Sequence, residues 1–88
     1  MNRITVLITM HFDHTKGNFE ELRQKEMAHV MSWRENEWLD SFFIKTEKDG
    51  ALIIFKDLSM EAVVKQIEAL PFFPYMEQVQ YLNFDKVF

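Results

Sequence analysis

A carboxylate interrupts an apolar helical stripe at Glu26. With about 100° advanced per residue, Phe19, Leu22, Val30 and Trp33 fall on one side of a helix, and Glu26 falls among them. A carboxylate carried toward a core loses its water, so its pKa rises toward the range of a general base. One such group in a dry pocket can take a proton from a carbon beside a carbonyl system and return it elsewhere, given a donor that steadies the enolate. The residues also allow a plainer setting, with Glu26 at the stripe's edge, reaching solvent or paired with Arg23 or His29. His29 lies beside Glu26 on the helical wheel. It is a candidate partner in proton exchange, or simply a solvated side chain.

His11 and His14 flank Phe12 and Asp13 in "HFDH". Two His and one Asp are metal-ligand types, but in an extended strand His11 and Asp13 share a face while His14 enters the turn. No second cluster completes the set, so no metal is expected. Thr9 and His11, on the less apolar face of that strand, could instead line a pocket. The catalytic candidates are therefore Glu26, His29 and His11.

The stretch "LPFFPYM", residues 70–76, sets three aromatics between and beside two prolines. Pro71 cannot continue a helix, and Pro74 biases Phe73 toward an extended conformation. The result is a rigid apolar corner, packed on its own core, across a subunit boundary or around a cavity. Aromatics on a rigid backbone lose little entropy on binding, which makes Phe72, Phe73 and Tyr75 candidates for substrate binding. Trp33 joins them and Trp38 has the same character, although both could equally be core or interface residues.

These side chains need a scaffold. Residues 3–12 alternate, with Ile4, Val6, Ile8, Met10 and Phe12 on one face and a mixed set on the other, the pattern of a strand. Asp13 to Gly17 form a turn. Asn18 and Glu21 fit a reciprocal helix cap, and a helix is expected to run to about Asn36. "LDSFFIKTE" is a second strand. Lys48-Asp49-Gly50 turns the chain, with Gly50 able to take the positive φ of a tight hairpin. "ALIIF" is apolar at every position and reads as a strand covered on both faces. Ser59 caps a second helix with its stripe at Met60, Val63, Val64, Ile67 and Leu70. "EQVQYLNF" is the last strand. The order strand, helix, strand, strand, helix, strand predicts an α+β, ferredoxin-like βαββαβ subunit as a single domain over residues 1–88. Its antiparallel four-stranded sheet would carry two helices on one face. A second subunit's sheet would cover the other, making a dimeric α+β barrel.

The closing motif "LPFFPYM" and its approach, "DLSMEAVVKQIEALPFFPYMEQVQYL" at residues 57–82, resemble the muconolactone isomerase family of small α+β barrel proteins. The first helix is similar more loosely, and the order of elements matches over nearly the whole chain. The resemblance implies a ferredoxin-like subunit in a dimer or larger assembly, and an acid–base role for Glu26, which matches a Glu of the family's first helix. The family typically has Lys after that Glu; here the residue is Met27.

Composition narrows the function. Of 88 residues 48% are apolar, with nine Phe, two Trp, two Tyr and six Met. That is a heavy load for so small an interior, so part of it is expected in a subunit interface or a ligand cavity. A net charge of −4 argues against a nucleic-acid partner, and no basic run reads as a membrane-surface patch. No segment is long and apolar enough to span a bilayer or resembles a signal peptide, so a complete, cytoplasmic chain is expected. With no Cys there is no thiolate site or Cys nucleophile, and no glycine-rich phosphate loop points to a nucleotide. The expected function is a cofactor-free isomerase, moving a proton on a small cyclic or aromatic-derived metabolite such as an unsaturated lactone. The alternatives are a non-enzymatic oligomeric binding or assembly protein and a cofactor-independent monooxygenase of the same superfamily. The expected partners are a second copy of the chain and a small molecule.

Overall fold

In a computed structural model, which describes residues 2–11 and 17–88, the elements follow that order. They are β1 (Asn2–Met10), α1 (Phe19–Glu35), β2 (Leu39–Ile44), β3 (Gly50–Lys56), α2 (Met60–Glu68), a 3-10 turn (Phe73–Tyr75) and β4 (Met76–Asp85). Phe12, Asp13 and His14 lie outside the described residues. The sheet order is β2-β3-β1-β4, with every neighbouring pair antiparallel. This is the ferredoxin-like arrangement, in which the two βαβ halves interleave.

Register explains why one sheet can be apolar on both sides. Because side chains alternate, cross-strand rows belong wholly to one face. The rows Leu39–Phe55–Ile4–Asn83, Phe42–Ile53–Val6–Tyr81 and Ile44–Ala51–Ile8–Val79 face the helices. There Ile4, Val6, Ile8, Ile53 and Phe55 form one core with Val30 and Trp33 of α1 and Val63 and Ile67 of α2. Both helices therefore cover the same face. The rows Phe43–Leu52–Leu7–Gln80 and Ser41–Ile54–Thr5–Leu82 face away, and among the described residues no helix covers them. An open groove there is lined by Leu7, Leu52, Ile54, Leu82 and Phe84, with the Arg3–Asp40 ion pair (3.6 Å) at its edge.

Three local expectations need correction. Phe73 is not extended: it opens the 3-10 turn, closed by the Tyr75 N–H donating to the Phe72 carbonyl at 2.9 Å, and Pro74 fits there because the first residues of such a turn need no N–H donor. Asn18 makes no side-chain cap bond, because its ψ of 13° is not the extended conformation that turns a capping side chain toward the first amides. Glu21 pairs instead with Lys25 at 3.2 Å. Ser59 is extended and does cap, its hydroxyl accepting from the Ala62 N–H at 3.1 Å. The positive φ of the β2–β3 hairpin belongs to Lys48 (63°), not to Gly50. Gly50 is needed for space: a Cβ there would lie 2.1 Å from the Ile8 carbonyl oxygen, inside contact distance, as β3 passes β1.

Candidate active site

Beneath α1, on the helix-covered side of the sheet, the fold leaves a cavity of about 720 Å³. Its floor is Leu39, Phe42 and Ile53, continued by Ile44, Ala51 and Ile8. Its roof is one face of α1, where Arg23, Glu26, Met27, Val30, Met31 and Arg34 recur at the three- and four-residue spacings of a helix. Phe72 forms the wall toward the second helix, its ring stacked on Phe19 with centroids 5.7 Å apart. An apolar hollow of this size with few polar groups is what small-molecule sites are generally made of.

Glu26 is the acid in that lining. Its Oε1 accepts a hydrogen bond from the Phe72 backbone N–H at 3.2 Å. Neither Arg23 nor His29 forms an ion pair with it among the described residues. Loss of water on burial drives its pKa up from the ordinary 4.5 to about 7, and the Phe72 N–H, which favours the charged form, offsets only part of that rise. The fold thus spends a backbone donor of the aromatic corner on orienting this carboxylate. It leaves the carboxylate half ionised near neutrality.

The other candidates lie in different places. Phe72 is buried and lines the cavity. Phe73 and Tyr75 are half-buried against the chain's own core and are not in the lining. Trp33 is fully buried one turn beyond the cavity's central residues. It meets Phe55 edge-on at 4.9 Å, and its indole N–H donates to Gln66 Oε1 at 2.8 Å, tying α1 to α2. Trp33→Phe is expected to cost about 1–3 kcal/mol, from lost volume and from the stranded Gln66 acceptor. Thermal unfolding reads this directly, and an unchanged midpoint would show that the tie carries no stability. His29 is half-buried on α1 outside the lining. His11, at the end of β1, stands 3.5 Å from Glu77 on the surface, away from Glu26. Among the described residues no three His, Cys, Asp or Glu converge to hold a metal ion.

The sequence reading passed over Arg23, Met27, Met31, Arg34 and Phe42 as lining residues. The signal was present: two Arg and two Met flank the apolar stripe at helical spacing, where a stripe packed against a sheet would stop. Long flexible Met side chains suit the rim of a site that must adapt to a guest.

No protein-family model matches this sequence, and no curated protein matches it either. Likeness is found among solved structures. One is the 5-chloro-2-hydroxyhydroquinone dehydrochlorinase TftG of Burkholderia phenoliruptrix AC1100, in complex with 2,5-dihydroxybenzoquinone. It superposes with a TM-score of 0.64 at 13% identity, over 94% of this chain and 93% of that one. Another, assigned as an antibiotic biosynthesis monooxygenase, comes from Nitrosomonas europaea, with a TM-score of 0.61 at 12% identity over the whole of both chains. The fold is shared. At such identity that is the whole of what the likeness establishes, since one fold hosts many activities.

Proposed function

We propose that this protein is a cofactor-free proton-transfer catalyst, an isomerase of the muconolactone isomerase type, acting on a small cyclic or aromatic-derived metabolite such as an unsaturated lactone. One observation carries the reading: Glu26 lies in an apolar cavity with its pKa near 7 and its orientation fixed by the Phe72 N–H. The ionised carboxylate removes a proton from the carbon beside the lactone carbonyl, and the electron pair delocalises into a dienolate. The same carboxyl then returns its proton at the far carbon of that system. The double bond has moved, and Glu26 is again a carboxylate. No oxidant or cofactor enters the balance. The dehydrochlorinase and monooxygenase neighbours lend support only as small-molecule enzymes built on this fold.

Solvent deuterium uptake by an unsaturated lactone, followed by proton NMR, tests the reading. Exchange above background is expected to rise with pH through about 7 as Glu26 ionises and then to level off. Exchange no faster than in buffer, across a panel of such lactones, would discard it.

Assembly belongs to the same proposal. The uncovered outer face of the sheet, with Phe43 and Phe84 each more than half exposed, supports a second copy of the chain packed sheet to sheet. That face would serve equally a protein that only binds and assembles, without catalysis.

A further inference from the structure

Met27 stands where the resembled family has Lys, yet the cavity is not short of positive charge. Arg23, Arg34 and Lys48 all line it, and among the described residues Glu26 is the only acid that does. None of these three cations has an ion pair among the described residues, whereas Lys25 and Lys45, close by in sequence, are paired with Glu21 and Asp49 at 3.2 and 3.0 Å. On a chain of net charge −4 this is a local reversal of sign around one apolar hollow. Two of the cations come to the same end. Arg23 is in the first two turns of α1, which begins beyond the β1 end where Thr9 pairs with Gly50, and Lys48 is in the β2–β3 hairpin at that end. Arg34 is near the other end of α1, about 16 Å further along by helical rise. All three cations are solvent-exposed residues of the lining, so water screens them in part, and their effect is to raise the local concentration of anions at the hollow.

We infer that the cavity selects an anion: a small planar ring bearing one ionised oxygen group, its charge held by Arg23 and Lys48 and its ring on the apolar floor beside Glu26. This rests on the cavity being a ligand site, as proposed above. It adds the charge of the ligand and the residues that read it.

Titration calorimetry with 2-naphthoate and 2-naphthamide tests it, since the two share a ring system and differ in charge. Naphthoate is expected to bind at least about tenfold more tightly. In the Arg23→Gln/Lys48→Asn variant the difference should shrink to about twofold or less, with naphthamide binding as before; Asn tolerates the left-handed backbone of residue 48. Lys86→Gln removes one positive charge beside the outer-face groove and should keep the preference, which separates local recognition from net charge. Equal affinities in the unaltered protein would overturn the inference, as would a preference that survives the double variant or one lost in Lys86→Gln. Naphthoate offers no proton for exchange, so its binding does not depend on the isomerase reading. Anion preference without lactone exchange would sink the isomerase alone. Lactone exchange without anion preference, or with neither naphthyl compound bound, would sink the anion alone.

Discussion

Glu26→Gln is expected to abolish proton transfer and, above pH 7, to make the protein more stable. Gln keeps the shape and can still accept the Phe72 N–H, but it has no basic form, so exchange should fall at least about a hundredfold. The stability effect follows from the raised pKa. Between the ordinary 4.5 of an unfolded Glu and about 7 in the fold, the folded state holds more protons than the unfolded one. Stability is therefore greatest below pH 4.5 as far as this group is concerned, declines as pH rises through about 7, and is level above. Since Glu26 is only half-buried and partly screened by water, the loss is about 1–2 kcal/mol rather than the full value of the shift. Gln has no such loss, so the variant should gain that amount at pH 8 and almost nothing at pH 4. Denaturant titrations at the two pH values measure it. Full exchange activity in the variant would remove Glu26 from the chemistry, and a parallel pH dependence in both proteins would mean the carboxyl is not held away from water.

The second large effect is expected on the opposite side of the sheet. Ile54→Lys should weaken self-association by at least about a hundredfold, leaving a folded monomer at micromolar concentration. Ile54 pairs with Thr5 on β1 and Ser41 on β2 and points to the uncovered face, beside Leu52, Leu82 and Phe84. In a sheet-to-sheet dimer a lysine ammonium there would be buried without a partner, at a cost no rim contact could offset. In the isolated subunit the same side chain reaches water, because Ile54 belongs to the groove and not to the helix-side core. Sedimentation velocity separates the outcomes. A variant that sediments as the unaltered protein does would place any contact between copies elsewhere, and an unaltered protein that is itself monomeric would leave the outer face without a second copy.

The order of elements was legible in the sequence because the signals behind it are local. Period-two alternation in β1 and the Ser59 cap each depend on neighbours within a few residues, and each appears where that pattern put it, whereas α2 ends at Glu68, before Leu70 and Pro71 are reached. The apolar character of both faces of β3 was legible too. Local geometry that hinges on a single dihedral was less so. Asn18 has the right side chain for a cap and the wrong ψ, and the hairpin places its left-handed residue at Lys48, while Gly50 is held close against Ile8.

The site divides in the same way. Helical periodicity alone determined that Glu26 lies on the sheet-facing side of α1, since 3.6 residues per turn fixes an angle around the axis. It does not fix depth. Glu26 and Trp33 share one stripe, yet Trp33 closes against Phe55 and Gln66 while Glu26 stands over an open floor. Where a stripe meets packed side chains and where it overhangs a hollow depends on the paths of the sheet and of the second helix, which are remote in sequence. The convergence of Arg23, Phe42, Lys48 and Phe72 on one cavity was likewise decided by the tertiary structure alone, because no spacing along the chain records which strands lie beneath which helix.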